Sequence, residues 1–258
     1  MLLFTFKETK ISYTDVGTGP ALILLHGFLE NKKMWNNYTF QLSKNNRIIT
    51  LDLLGHGQSG CVGYIHTMEL QAEMIFALIT NLGVDKASFV GHSMGGYIAL
   101  AFAEKHPDCM HSLVLLNSTS VDDSADRKIN RDRAIKAVKL NLVTFVCLSI
   151  ANLFSKKNKS LLHTEIENTK LEALKTPIQG VIAALEGMKI RKNRTSVLKS
   201  ASYPITLILG KQDPVLDYNE TILQIADTQV KLITFADGHM SWIENRAELE
   251  LFFDTKFT

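Results

Sequence analysis

One short segment constrains the fold of this chain more than any other. The apolar run ASFV leads into GHSMGG at residues 91–96, and a helix-like stretch, YIALAFAEKH, follows. This is the pattern G-x-S-x-G between a strand and a helix. Side chains at 91 or 95 would collide with neighbouring backbone, and the sharp turn pushes Ser93 toward positive φ, a strain of about 1–3 kcal/mol. The segment therefore predicts a serine hydroxyl projecting from the end of a buried strand.

Apolar runs alternate with helical stretches through much of the chain. Strand-like runs occupy residues 2–7, 10–16, 21–25, 47–51, 87–90, 112–116, 205–209 and 230–235. Helical stretches occupy residues 32–43, 67–81, 94–106, 217–227 and 241–252. Short strands that are apolar throughout and alternate with helices are typical of a parallel sheet covered on both faces. We predict an α/β fold with a mostly parallel sheet.

Residues 122–198 interrupt this alternation, because their periodicity is helical and they contain no convincing strand. They separate two predicted core strands. An insertion at that point would cover the carboxyl ends of the strands, where open α/β sheets bind ligands. We therefore predict a core of residues 1–121 and 199–258 with an all-helical cap of residues 122–198.

The composition excludes several classes of protein. A hydrophobic fraction of 46% with 21% charged residues is ordinary for a globular protein, and a net charge of +2 favours neither nucleic acid nor an anionic membrane as partner. The three cysteines lack metal-ligand spacing, and polar residues interrupt the longest apolar stretch, 138–154, before it could span a membrane. We expect a cytoplasmic monomer or homodimer with reduced thiols and no metal.

Two further motifs accompany the serine turn. The run 21–25 continues directly into His26-Gly27-Phe28, and the next predicted strand continues into DLLGHGQS at residues 52–59. With these motifs the chain resembles the α/β-hydrolase superfamily over essentially its whole length. It is similar to small cofactor-free bacterial hydrolases, including carboxylesterases, enol-lactone hydrolases and a menaquinone-pathway synthase. The resemblance implies an eight-stranded sheet, an inserted cap and no cofactor.

An acid and a base follow Ser93 in the order Ser, Asp, His that this superfamily uses. His239 lies just after the run 230–235, and Asp213 lies just after the run 205–209. We predict that His239 is the general base and that Asp213 fixes its tautomer. Several competing residues are assigned structural or surface roles: Asp52, Asp217, Asp227, Asp237, His26, His56, His66, His92, His106, His111 and His163.

Two backbone N–H groups are predicted to form an oxyanion hole. One belongs to Met94, the residue after the serine, and the other to Phe28, on the loop after the third strand. The side chains of Phe28 and Tyr97 are predicted to contact the substrate, with core packing as the alternative for Phe28.

The predicted cap is rich in arginine, namely Arg127, Arg131, Arg133, Arg191 and Arg194. A group of charges usually forms a solvated face, and we favour that interpretation. The alternative is that one or two of these residues bind a substrate carboxylate.

The favoured function is hydrolysis of a small or medium carboxylic ester, thioester or lactone by Ser93. One alternative is an elimination enzyme that uses the three residues only as a base. The synthase that this chain resembles has an arginine four residues after the serine, where this chain has Tyr97. A second alternative is a non-catalytic receptor, but such proteins commonly lose one of the three residues. Dehalogenases and epoxide hydrolases of this fold use a nucleophilic Asp in place of the serine.

Overall fold

An eight-stranded sheet runs through the computed structural model, which describes residues 2–257. The strands are β1 (Leu2–Phe6), β2 (Thr9–Val16), β3 (Ala21–Leu25), β4 (Arg47–Leu51), β5 (Ala87–His92), β6 (Met110–Leu116), β7 (Ile205–Gly210) and β8 (Lys231–Phe235). Their order across the sheet is β1-β2-β4-β3-β5-β6-β7-β8. Strand β2 is antiparallel to both β1 and β4, and the other neighbours are parallel. The prediction of a mostly parallel eight-stranded sheet is confirmed.

Helices follow the strands as the sequence predicted, with shifted ends. They are α1 (Asn36–Leu42), α2 (Met68–Asn81), α3 (Met94–Lys105), α4 (Ala125–Leu140), α5 (Leu142–Ala151), α6 (Asn158–Leu161), α7 (His163–Ala173), α8 (Ile178–Lys189), α9 (Thr195–Ser200), α10 (Tyr218–Leu223), α11 (Ser241–Glu244) and α12 (Arg246–Phe257). Residues 32–43 form a 3₁₀ turn, Lys32–Trp35, followed by α1. Residues 241–252 are divided at Asn245, whose backbone leaves the helical region and whose amide donates to Asp237.

Alternate side chains of the central strands pack against helices on opposite faces. Ile23 and Leu25 of β3 belong to a core that includes α2 and α3. Leu22 and Leu24 belong to a second core with aromatic residues of the 3₁₀ turn, α1 and α12. Apolar side chains are therefore required on both faces, which explains the uninterrupted apolar run in β3.

The segment between β6 and β7 forms six helices, α4 to α9, and no strand. It packs against loops at the carboxyl ends of the strands. The His66 N–H donates to the Ala183 carbonyl of α8, and the His239 N–H donates to the Leu153 carbonyl. Glycines in α8 permit this approach, since a Cβ on Gly187 would collide with the His66 carbonyl. The helical insertion thus contacts the end of the sheet expected to bind ligands. Its role as a cap and the boundary residues 122 and 198 stay predictions.

None of the helices within residues 2–257 combines the length and the apolar character needed to cross a lipid bilayer.

Candidate active site

The serine turn has the conformation that its glycines predict. Ser93 connects β5 to α3 with φ of +49°, a region that L-residues rarely adopt. A Cβ on Gly91 would lie 2.5 Å from the Gly95 carbonyl carbon, and one on Gly95 would lie 2.5 Å from the Leu25 oxygen. The Ser118 hydroxyl donates to the Ser93 carbonyl at 2.8 Å. Close backbone packing and this hydrogen bond hold the strained residue in place.

The three predicted catalytic side chains meet at the carboxyl edge of the sheet. His239 Nε2 lies 2.9 Å from Ser93 Oγ, and His239 Nδ1 lies 2.7 Å from Asp213 Oδ2. The His239 and Asp213 side chains are almost fully buried, at 2% and 1% exposure. Each residue follows a different parallel strand, β5, β7 or β8, and these strands end at the same edge. The arrangement can pass a proton from the hydroxyl to an imidazole whose other nitrogen faces a carboxylate.

Asp213 is surrounded by hydrogen-bond donors. Its Oδ1 accepts the N–H groups of Val215 and Leu216 at 2.8 and 2.9 Å, and its Oδ2 also accepts from Asn117 Nδ2 at 3.1 Å. Burial alone would raise the pKa of Asp213, but His239 and the backbone N–H groups of Val215 and Leu216 lower it below the ordinary value of 3.8. Asp213 is therefore held as a carboxylate. The sequence prediction missed Asn117, although it follows β6 at the same edge as Asp213.

The two predicted oxyanion-hole donors lie on segments next to the serine turn. Met94 is the first residue of α3, so its N–H points out of the amino end of the helix. Phe28 lies on the loop that follows β3, the strand next to β5. Within residues 2–257, neither N–H donates a hydrogen bond to the protein. Both donors are thus available to an oxygen atom, and their role stays a prediction.

The two residues predicted to contact substrate lie in different environments. Phe28 is half-buried and its ring meets His56 edge-on, with 6.1 Å between the ring centroids. Tyr97 is only 4% exposed, and the Arg191 guanidinium lies 4.2 Å from the centre of its ring. Tyr97 therefore contacts the helical insertion from below, which leaves Phe28 as the more accessible of the two.

The prediction of a solvated arginine face is wrong for two of the five arginines. Arg191 and Arg194 are 4% and 1% exposed. Arg191 pairs with Asp123 at 2.6 Å, and Arg194 pairs with Glu69 at 2.5 Å and with Glu104 at 3.0 Å. A buried guanidinium needs such partners because its desolvation is costly. Both residues tie the insertion to itself or to the core.

The remaining three arginines lie nearer the surface. Arg127 donates to the Val215 carbonyl, Arg131 pairs with the buried Asp123 at 3.0 Å, and Arg133 is exposed beside Asn130. Arg127 and Arg191 also line a cavity of about 540 Å³ next to Asp213. Asp122, Asp217 and Glu220 line the same cavity, so its charge is mixed. This mixture does not favour a carboxylate-binding site there.

Three buried histidines have structural contacts: His26 and His56 in the motif loops, and His66 beyond them. His26 Nε2 accepts the Leu53 N–H at 2.9 Å, and His66 Nε2 accepts the Val62 N–H at 3.2 Å. Burial lowers the pKa of His56 to about 3 and that of His66 to about 4, so both are neutral at pH 7. Among the described residues, no group of three or more His, Cys, Asp or Glu side chains is arranged to hold a metal ion.

The fold and this site define the class of the protein. The sequence profile of the alpha/beta hydrolase fold family matches residues 20–245. The chain belongs to this family. An esterase from Thermogutta terrifontis is similar in structure, with a TM-score of 0.90, 29% identity and coverage of 96% of this chain and 92% of that one. The enol-lactonase from Burkholderia xenovorans LB400 shares the fold, with a TM-score of 0.90, 20% identity and 99% coverage of both chains.

Curated relatives are more distant or partial. A putative non-heme haloperoxidase of Mycobacterium phage D29 is 27% identical over 248 residues, covering 93% of this chain and 88% of the relative. An uncharacterized protein of Mycobacterium tuberculosis is 34% identical over 117 residues, which are 45% of this chain. That match spans only 34% of the mycobacterial protein's length.

Proposed function

We propose that this chain is a serine hydrolase that cleaves small or medium carboxylic esters, or related thioesters and lactones, through an acyl-enzyme. The observation that carries the proposal is the pair of contacts at His239, 2.9 Å to Ser93 Oγ and 2.7 Å to Asp213 Oδ2. A base within hydrogen-bond reach of a hydroxyl, itself oriented by a third group, is the arrangement that activates a serine nucleophile.

The reaction follows from this geometry. His239 Nε2 takes the Ser93 proton while Oγ forms a bond to the ester carbonyl carbon. The carbonyl oxygen becomes negatively charged and accepts hydrogen bonds from the Met94 and Phe28 N–H groups. Collapse breaks the bond to the alcohol, which leaves with the proton from His239. A water molecule then gives a proton to His239 and attacks the acyl carbon, and Ser93 regains its proton as the acid leaves.

One comparison favours esters over other acyl compounds. The esterase from Thermogutta terrifontis is similar over nearly the whole chain, at 29% identity. We expect the helical insertion to limit substrate size, because it lies against the site: the His239 backbone N–H donates to the Leu153 carbonyl of the insertion at 3.0 Å.

The two alternative functions predict different chemistry. A non-catalytic receptor has no need for the three aligned side chains, and a strained serine of φ +49° at their centre is typical of an active site. An elimination enzyme would use His239 without acylating Ser93. Arg191 lies over Tyr97, the position where the related synthase has an arginine, but its charge is already paired with Asp123.

Labelling with a fluorophosphonate tests the proposal directly. The wild-type chain should form a covalent adduct on Ser93, located by peptide mass spectrometry, and should hydrolyse p-nitrophenyl acetate. Ser93→Ala should lose both, whereas Ser160→Ala, a control at an exposed serine of α6, should keep both. A receptor would leave the probe unreacted in the wild type. An elimination enzyme would fail to hydrolyse p-nitrophenyl acetate even in the wild type.

A further inference from the structure

A buried carboxylate, Glu30, joins three loops of the candidate active site. Its Oε2 accepts the Gly27 N–H at 2.6 Å and lies 2.8 Å from His92 Nδ1. Its Oε1 accepts the Trp242 Nε1–H at 3.0 Å. Gly27 precedes the oxyanion residue Phe28, His92 precedes the serine, and Trp242 lies shortly after the histidine base. Glu30, on the loop after β3, therefore contacts the last residue of β5 and helix α11, which follows the loop that carries His239.

The hydrogen bonds of His92 indicate its charge. Its Nδ1 faces the Glu30 carboxylate, and its Nε2 lies 2.9 Å from the His239 carbonyl oxygen. A carbonyl oxygen can only accept, so Nε2 must carry a proton. The carboxylate already accepts from Gly27 and Trp242, which favours its ionised form, so Nδ1 must donate as well. An imidazole that donates from both nitrogens is an imidazolium.

The surroundings agree with this charge. Glu30 is 5% exposed and His92 is 1% exposed. Burial alone would lower the pKa of His92, but the Glu30 carboxylate and the bond to the His239 carbonyl raise it above 6.5. Burial would likewise raise the pKa of Glu30, but His92 and the Gly27 N–H lower it below 4.5. Each charge has its counter-ion at hydrogen-bond distance, as a buried pair requires.

The loop held by Glu30 is strained. Leu29 has φ of +62°, and the Glu30 N–H reaches back to the Gly27 carbonyl at 3.3 Å. This left-handed region is unfavourable for a leucine, because its Cβ crowds the following carbonyl oxygen. The bond from the Gly27 N–H to the Glu30 carboxylate closes the same turn from the other side. This turn determines where the Phe28 N–H points.

We infer that Glu30 and His92 form a carboxylate–imidazolium pair that positions the oxyanion loop, the serine turn and the histidine loop relative to one another. The pair is a positioning element, because neither residue needs to touch the substrate. Its effect on turnover rests on the proposed function. The charge of the pair and its effect on the loop do not depend on the proposed function, so both are measured separately from activity.

The charge is tested by nitrogen NMR of the histidine side chains. In the wild type at pH 7.5, His92 should show two protonated ring nitrogens, with the signal assigned by its loss in His92→Gln. In Glu30→Gln, which keeps the size of the side chain but removes its charge, His92 should be neutral at the same pH. A neutral His92 in the wild type would overturn the inference.

Positioning is tested by amide hydrogen exchange and by the rate of fluorophosphonate labelling. In Glu30→Gln the Gly27 N–H should exchange faster, and labelling of Ser93 should slow by roughly 10- to 100-fold, the scale expected when a reacting group is displaced by about 1 Å. The control is Glu69→Gln, which removes the carboxylate paired with the buried Arg194 and should label at the wild-type rate. Wild-type labelling and exchange in Glu30→Gln would overturn the inference. If the wild type itself is not labelled, the proposed function fails. The NMR and exchange results then still show whether Glu30 and His92 form the charged pair.

Discussion

Replacing Asp213 by asparagine should reverse the proton arrangement at His239. Both carboxylate oxygens accept hydrogen bonds, Oδ1 from Val215 and Leu216, and Oδ2 from His239 and Asn117. An asparagine has one accepting oxygen and one donating NH₂ group. If the oxygen keeps the two backbone donors, the NH₂ group faces His239 Nδ1. That nitrogen must then accept, which moves the ring proton to Nε2, where it blocks proton transfer from Ser93.

The size of the effect follows from this tautomer. The corresponding change in another serine enzyme, which also preserves the geometry, lowers kcat about 10⁴-fold. At about 1.36 kcal/mol for each factor of ten, the loss is on the order of 5 kcal/mol of transition-state stabilisation. We expect a loss of this order in kcat for Asp213→Asn, with little change in KM, because the carboxylate contacts the base and not the substrate.

Steady-state hydrolysis of p-nitrophenyl acetate measures both constants, and thermal unfolding establishes that each variant is folded. The control is Asp237→Asn, a carboxylate two residues from His239 that bonds only to Asn245 among its described side-chain contacts. Asp237→Asn should keep kcat within a few-fold of the wild type. Equal losses in the two variants would refute the assignment of Asp213, and so would a loss confined to KM.

Three further predictions concern the buried pair, the insertion and the substrate. Because the pKa of His92 is raised on folding, its charge contributes stability below about pH 6.5, and this contribution is lost as the pH rises through the pKa of the folded state. Because the pKa of Glu30 is lowered on folding, its charge contributes stability above about pH 4.5, and this contribution is lost as the pH falls through the pKa of the folded state. Urea unfolding should therefore show the largest difference between the wild type and Glu30→Gln near pH 6, and an equal difference at pH 4, 6 and 9 would contradict the ion pair. Gly187→Ala should destabilise the chain by about 1–3 kcal/mol, because the added Cβ meets the His66 carbonyl; unchanged urea unfolding would show that α8 is not tightly packed there. Across p-nitrophenyl esters from acetate to palmitate, kcat/KM should be highest for short chains, and a maximum at palmitate would contradict the size limit imposed by the insertion.

The sheet and the serine turn could be predicted because their causes are local. A strand buried on both faces must be apolar throughout, and Ala21–Leu25 shows this directly. The turn at Ser93 needs glycines at 91 and 95, where a Cβ would meet backbone. His239 and Asp213 could be proposed because each follows a predicted strand, and parallel strands bring such positions to one edge. Their contacts at 2.7 and 2.9 Å agree with that reasoning.

The buried charges could not be predicted, because their environment depends on residues far away in the sequence. Arg194 is neutralised by Glu69 and Glu104, which are 125 and 90 positions away. Glu30 meets His92 and Trp242 across 62 and 212 positions. In the sequence, Arg194 lies among other basic residues, and Glu30 lies two residues after Phe28 in the loop after β3, with no nearby residue that indicates a buried partner. These residues form buried ion pairs only because folding brings distant parts of the chain together.

The same hydrogen bonds explain how loops can hold a site that needs fixed distances. Asn117 after β6 bonds to Asp213 after β7, Asp213 bonds to His239 after β8, and His239 bonds to Ser93 after β5. The hydrogen bonds of Glu30 connect the loop after β3 to His92, at the end of β5, and to Trp242 in α11. Several residues in this chain of contacts, including Leu29, Ser93 and Asn117, have positive φ and would relax if released. A strained backbone persists only where its surroundings over-determine it. Removing any one of these polar contacts should therefore disturb loops that the removed group does not touch.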